Sequence, residues 1–238
     1  MCTISLVFNS EENPGFILTS NRDEAPGRET ISPDFYTINN NRLLFPKDAV
    51  AGGTWIGVSS KKRVVCLMNG GFEKHIRASS YRMSRGVVVK DILAAEDPLL
   101  EINQYNFQGI EPFTLILADW NHELFFYELV WDGNLPHKKK LRLKNHIWSS
   151  SPLYSPEMKT LRETWFEELQ SKKNLTSEIL WDFHHSAGVG DKDLDLVMDR
   201  GFVKTKSITQ IIKTSEKIRI VYEDLQKNEI SEKEFEIR

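Results

Sequence analysis

The residues of this chain that could do chemistry begin at position 2. Cys2 follows the initiator methionine, and its side chain is small enough for that methionine to be removed. Removal would leave a thiol and a free α-amine on one residue. Their ordinary pKa values are about 8.5 and about 8. A nucleophile and a base would then share one residue, which is the logic of an N-terminal nucleophile. A cysteine nucleophile also needs a route to the thiolate and a donor for the developing oxyanion. Arg22 supplies a cation of the kind that depresses a nearby thiol pKa. Asp23 offers an acceptor that would hold a free α-amine. Asn69, next to Gly70 and Gly71, offers a side-chain amide to a tetrahedral oxyanion. Each has a plainer reading. Cys2 is also a small residue starting a buried strand, Arg22-Asp23-Glu24 a solvated turn with weak ion pairs, and Asn69-Gly70 a common hairpin turn. Their joint pattern says more than any member.

The elements that must position them are strands. Residues 3–8 are rich in β-formers, 9–15 supply turn residues, and 16–21 resume a strand, so the chain opens with a β-hairpin. That hairpin brings Asn21-Arg22-Asp23-Glu24 back beside Cys2. Residues 26–46 read as irregular, with prolines and the run Asn39-Asn40-Asn41 marking loops. A second hairpin runs through 54–58 and 63–68 and ends at Asn69. A helix is expected over 84–95 from the spacing of Val87, Val88, Ile92 and Leu93. A third hairpin is expected over 113–119 and 124–131, with a further strand over 139–143. Two helices follow, over 155–172 and over 176–184 with Thr176 as N-cap. An Asp- and Gly-rich loop covers 187–201, and a final hairpin covers 207–214 and 217–224. The charged tail from Gln226 either frays or adds an edge strand. Antiparallel hairpins without βαβ alternation indicate an α+β chain with helices packed on antiparallel sheet. Strands at both ends suggest a single domain over 1–238, since terminal strands often meet in one sheet.

Two later segments stand where they could complete a site. Trp148-Ser149-Ser150-Ser151 precedes the long helix, and Thr205-Lys206-Ser207 precedes the last hairpin. Their plainer readings are helix-entry chemistry and a solvated charge. His184-His185 invites a metal reading, but adjacent helical residues point in different directions, so a surface pair is expected. Asp191, Asp193 and Asp195 resemble a calcium loop only superficially, because the glycine at the sixth position and the closing glutamate are absent.

Composition excludes several classes. The 238 residues carry a net charge of −3 with 40% hydrophobic and 27% charged residues, an ordinary globular balance with no nucleic-acid footprint. Lys138-Lys139-Lys140 reads as a solvated strand edge or turn. Two cysteines, Cys2 and Cys66, make no disulfide framework and no zinc spacing. No secretory signal and no membrane-spanning apolar run is evident. A cytoplasmic location is therefore expected.

Met1-Cys2-Thr3, then Asn21-Arg22-Asp23-Glu24, then Gly52-Gly53-Thr54-Trp55-Ile56-Gly57, then Asn69 after the following strand, resembles the NRDE family, that of the transport and Golgi organisation 2 protein. The resemblance implies an N-terminal-nucleophile hydrolase fold, an αββα sandwich of two stacked antiparallel sheets between helical layers. It looks related to cysteine acylases that cleave bile-salt and penicillin amides. By position, Cys2, Arg22, Asp23 and Asn69 match their catalytic arrangement, and Asn21, Trp55, Ser150 and Lys206 would lie on the substrate side. Ser150 stands where family members commonly have asparagine, and Lys206 where an arginine is common. Lysine keeps the charge but lacks the planar fork. The expected activity is hydrolysis of a linear amide or acyl compound without cofactor or metal. The alternative is non-catalytic binding, with haem or a lipid as cargo in the same pocket, because eukaryotic members of the family are linked to Golgi organisation, lipid metabolism and haem trafficking.

Overall fold

The computed structural model describes residues 2–9, 15–215 and 217–236, and of Cys2 the backbone alone. In chain order the elements are strands β1 (Cys2–Asn9), β2 (Gly15–Glu24), β3 (Thr30–Ile38), β4 (Asn41–Asp48), β5 (Ile56–Ser59) and β6 (Arg63–Asn69), helices α1 (Arg85–Ala94) and α2 (Pro98–Gln104), strands β7 (Phe113–Asp119), β8 (Phe125–Trp131), β9 (Pro136–Leu141) and β10 (His146–Ser149), helices α3 (Pro156–Lys172) and α4 (Ser177–Ser186), and strands β11 (Lys204–Lys213), β12 (Lys217–Asp224) and β13 (Glu229–Glu236). They form two compact units, Met1–Arg28 with Lys144–Arg238, and Glu29–Leu143. Each unit carries one antiparallel sheet.

The first unit holds a six-stranded sheet in the order β10-β1-β2-β11-β12-β13. Strands from both ends of the chain meet in it, and the charged tail becomes its edge strand β13. Alternation along β1 and β2 sorts their side chains onto two faces. Val7 and Ile17 pack on one face against Phe166 of α3, Leu180 and Phe183 of α4, and Leu196. The helices begin where the sequence stops them from extending backwards. Ser155 caps α3 by accepting from the Met158 N–H, with Pro156 in the first turn, and Thr176 caps α4 through the Ile179 N–H.

The second unit is a seven-stranded meander, β3 through β9 in sequence order. Helix α1 buries Val88, Val89, Ile92 and Leu93 against Leu43, Phe45, Val65, Leu67 and Leu115. Arg63, fully buried on β6, terminates α1. Its guanidinium donates to the carbonyls of Ile92 at 3.1 Å, Ala95 at 2.7 Å and Glu96 at 3.2 Å. Its Nε stands 3.1 Å from the Asp119 carboxylate. The three lysines Lys138, Lys139 and Lys140 lie exposed on the edge strand β9.

The segment read as irregular contains the β3–β4 hairpin. Its prolines sit where a ladder tolerates them. Pro33 falls at a register shift in β3, between Ile31 and Asp34, on the edge strand. Pro46 follows the part of β4 that pairs with β5, which is limited to Leu43 and Leu44. Asn39 and Asn40 take φ of 49° and 62°, the left-handed pair of a two-residue hairpin turn. The short helix α2, capped by Asp97, and strand β10 were likewise not anticipated.

Of the glycines in Gly52-Gly53-Thr54-Trp55-Ile56-Gly57, Gly53 and Gly57 are packing glycines, whereas Gly52 takes a left-handed φ of 65°. A Cβ on Gly86 would stand 2.8 Å from the backbone of Thr54, and one on Gly53 would stand 2.9 Å from the Gly86 backbone. Backbone cannot swing aside as a flexible side chain can. Gly86→Ala is therefore expected to cost about 1–3 kcal/mol, the usual range for overpacking, read by urea denaturation. Gly27→Ala, where nothing lies within 4 Å of the added Cβ, serves as the control and should cost far less.

Candidate active site

Strand register places Cys2 opposite Arg22, and Thr3 opposite Asn21. On the other side of β2, Arg22 stands opposite Ser207 and Asp23 opposite Thr205. A register shift between Thr205 and Ser207 leaves Lys206 as the extra residue of a bulge, and that shift sets Thr205 against Asp23. In the antiparallel ladder the chain start runs toward Asp23, so the backbone nitrogen of Cys2 lies on the Asp23 side of Arg22. Whether Met1 is present lies outside the described residues.

Behind this strand end is a buried polar layer. Asp23, with no solvent exposure, accepts from the Tyr154 hydroxyl at 2.5 Å and from the Thr205 hydroxyl at 2.7 Å. The Tyr154 ring lies under the Arg162 guanidinium at 3.6 Å. Arg162, from the inner face of α3 and fully buried, donates to the Thr3 hydroxyl at 2.6 Å. It also donates to the carbonyls of Leu194 at 2.9 Å and Asp195 at 2.7 Å. Next to it, Asn21 donates to the carbonyls of His184 and Leu196, both at 2.9 Å. Its carbonyl oxygen therefore faces the His184 Nδ1, which must carry the ring proton. Nε2 is left to accept from the Ser5 hydroxyl at 2.7 Å. The peptide carbonyls of 194–196 are thus the acceptors that bind the layer together.

Burial governs the electrostatics. It raises the Asp23 pKa above the usual carboxylate value, against the lowering effect of the Tyr154 and Thr205 hydrogen bonds and the Arg162 charge. It also pushes the Tyr154 hydroxyl well above its ordinary value, so the phenol stays neutral and donates. Burial depresses His184 to about 3, helped by the positive charge of His185 and Arg162. His184 is therefore neutral in the folded protein.

Other candidates are placed as follows. Arg22 is nearly buried. Lys206 is largely buried, and its ammonium donates to the Pro26 carbonyl, so it is not the solvated charge its plainer reading expected. Ser150 is fully buried, and its carbonyl accepts the Leu153 and Tyr154 N–H groups in the turn before α3. In the second unit, Trp55 is buried and its carbonyl accepts from the Leu67 N–H at 2.7 Å. Asn69 is half-buried at the end of β6 opposite Phe113. Asn69-Gly70 is not a hairpin turn, because β6 pairs next with β7, far along the chain. Asn21 departs from the substrate-facing place expected of it. Its amide is fully buried and committed to His184 and Leu196. Among the described residues, no group of three His, Cys, Asp or Glu side chains is arranged to hold a metal ion. In the Asp-rich loop the Asp195 carboxylate accepts the Val189 and Gly190 N–H groups.

A profile of the family described as transport and Golgi organisation 2 matches residues 1–230. The chain belongs to the transport and Golgi organisation 2 family. The transport and Golgi organization protein 2 homolog of Bos taurus is 30% identical over 132 residues, covering 52% of this chain and 47% of that protein. The match thus spans about half the length of the curated relative. Among solved structures, an N-acylethanolamine-hydrolyzing acid amidase ortholog of Caenorhabditis elegans superposes with a TM-score of 0.60 at 14% identity, over 88% of this chain and 92% of its own. A variant of the conjugated bile acid hydrolase of Clostridium perfringens superposes at 0.57 with 9% identity, over 98% and 92%. At such identities the likeness is one of fold, the N-terminal-nucleophile hydrolase fold with two antiparallel sheets.

In this member of the transport and Golgi organisation 2 family, the Asn-Arg-Asp-Glu tetrapeptide is divided by strand alternation. Asn21 and Asp23 enter the polar layer beneath the helices, and Arg22 alternates to the opposite face. Sequence reasoning missed Tyr154, Arg162, His184 and Thr205 as partners of that tetrapeptide. A signal existed for His184: with Leu180 and Phe183 it completes the inner stripe of α4. The expected surface histidine pair is corrected accordingly. Only His185 faces outward, bonded to Glu223 at 2.6 Å. The neutral burial of His184 has a pH signature. Its folded pKa lies below the unfolded value of about 6.5, so the unfolded chain takes up a proton first as pH falls. The stabilisation is full above about pH 6.5 and is lost at up to about 1.4 kcal/mol per unit down toward pH 3. Urea denaturation at pH 6.5 and 5 should show the protein losing about 1–2 kcal/mol more than His184→Gln. The comparison cancels the opposite contribution of Asp23.

Proposed function

We propose that the chain, acting as one functional domain over 1–238, is an N-terminal cysteine amidohydrolase-like protein that cleaves a linear amide or related acyl compound. The observation that carries this reading is the pairing of Cys2 with Arg22 at a strand end backed by the buried Asp23 carboxylate. The names of two proteins with this fold, an N-acylethanolamine-hydrolyzing acid amidase and a conjugated bile acid hydrolase, support hydrolysis as the reaction class. After removal of Met1, the Cys2 sulfur adds to the amide carbonyl, and the thiol proton passes to the α-amine of the same residue. The α-ammonium returns that proton to the leaving amine as the C–N bond breaks. Water then hydrolyses the thioester, releasing the acid and restoring the thiol. Asp23 holds the α-amine and Arg22 sets the local charge. On the family resemblance, Asn69 is the oxyanion donor, and Trp55, Ser150 and Lys206 serve the substrate side. Asn21 is left out of that group because its amide is committed to His184 and Leu196.

The test is incubation with an electrophilic amide or lactone probe, followed by peptide mapping. Cys2 should be labelled and Cys66, fully buried in β6, should not. Blocking the α-amine should abolish the label. Intact mass showing Met1 retained in the cellular protein would overturn the reading. A protein that takes no label but gives a Soret band on titration with haem would instead favour binding without turnover.

A further inference from the structure

The carboxylate of the Asn-Arg-Asp-Glu tetrapeptide is held by residues far away in the chain. Tyr154, in the turn before α3, gives its hydroxyl hydrogen to Asp23 Oδ2, and Thr205, beside the bulge of β11, gives its own to Oδ1. Each oxygen of the group thus has a hydroxyl placed to donate to it in its ionised form. The Tyr154 ring is itself clamped. Arg162 stacks on it at 3.6 Å while three of its hydrogen-bonding partners, Thr3, Leu194 and Asp195, fix the guanidinium. The partner on β1 is Thr3, the residue next to Cys2. One side chain therefore ties the strand that carries the N-terminal residue to the phenol that aims the carboxylate.

We infer that Tyr154 is a positioning residue, which, clamped by Arg162, holds the Asp23 carboxylate at the strand end where the α-amine of a processed Cys2 would lie. The inference rests on the proposed function, in which that amine is the base. It adds that the amine's proton affinity is set from α3 and its entry turn, and not from the tetrapeptide alone. The other charged groups around Asp23 are Arg22 and Glu24 beside it on β2, Lys204 and Lys206 on β11, and Arg200, 5.5 Å from the Tyr154 ring. None of these is a hydroxyl donor fixed on a carboxylate oxygen.

Because the chain has two cysteines, labelling with ¹⁵N-cysteine marks one α-amine, at Cys2, and one amide, at Cys66. The α-amine is titrated by NMR in full-length protein whose Met1 removal has been confirmed by mass. A neighbouring carboxylate should raise its midpoint above the ordinary value of about 8, by about one unit or more. Asp23→Asn should abolish that rise. Tyr154→Phe keeps the ring and the Arg162 stack and removes only the hydroxyl. It should lower the midpoint by about half a unit or more toward the Asp23→Asn value, about a threefold change in proton affinity. Thr205→Val removes the donor on the other oxygen and should act in the same direction, which keeps the test decisive if Tyr154→Phe folds poorly. A Tyr154→Phe midpoint equal to that of the unmodified protein, with Asp23→Asn shifted, would overturn the role of Tyr154 alone. A midpoint insensitive to Asp23→Asn would overturn the amine–carboxylate pairing and this inference with it.

Discussion

Cys2→Ala is expected to lower amide hydrolysis by on the order of 10⁴-fold or more, with the residual rate insensitive to blocking of the α-amine. The size follows from the chemistry. Without the sulfur no thioester forms, and the loss is that of a whole covalent route, comparable to removing a hydrolase nucleophile. In free energy this is at least about 5 kcal/mol of transition-state stabilisation. The control is Cys66→Ala. Cys66 is fully buried in the ladder of β6, opposite Ile56 and Ile116, so its replacement should cost stability and leave turnover per folded molecule unchanged. Single-turnover kinetics with an amide substrate, alongside peptide mapping of the trapped acyl group, checks both variants. Turnover surviving in Cys2→Ala at more than a tenth of the starting rate would remove Cys2 from the mechanism.

Arg162→Met is expected to cost about 3–5 kcal/mol in urea denaturation, a large part of the stability of an ordinary domain. Methionine keeps a long apolar stem but supplies no donor. The Thr3 hydroxyl, which is fully buried, and the half-buried carbonyls of Leu194 and Asp195 then lose partners at 2.6–2.9 Å, and an unsatisfied buried group costs about 1–3 kcal/mol. The Asp23 carboxylate loses a nearby positive charge at the same time. Arg162→Lys should fall between the two, because an ammonium retains the charge but cannot span these acceptors and stack on Tyr154 together. Equal stability of Arg162→Lys and the unmodified protein would show that charge alone, and not the planar fork, holds the layer.

The local parts of the fold were legible because they depend on neighbours in sequence. Hairpin β1–β2, the cap at Thr176, and helix α1 each follow from residues within a few positions of one another. The β3–β4 hairpin was not legible, although Asn39-Asn40 marks its turn. Pro33 and Pro46 argue against strands until the bulge in β3 and the short pairing of β5 are known. His184 was misread for a related reason. A histidine pair looks alike on any helix until the inward face is identified, and that face is defined by Val7, Phe166 and Leu196, none of which is on α4.

The candidate site divides in the same way. Sequence alone determined that Cys2 starts a strand, that a hairpin returns Arg22 and Asp23 to it, and, through the spacing of its motifs, the family. A two-residue period and a short loop suffice for that. Tertiary structure alone decided which of these residues are held, and by what. The side chains that fix Asp23 and Asn21 come from Tyr154, Thr205 and His184, each more than a hundred positions further along the chain. No local rule relates them to the tetrapeptide. Their meeting depends on β11 pairing with β2, on the bulge that sets Thr205 opposite Asp23, and on α3 and α4 packing over the sheet. A buried carboxylate or amide must find partners wherever the fold brings them, and only the folded chain shows which residues answer that demand.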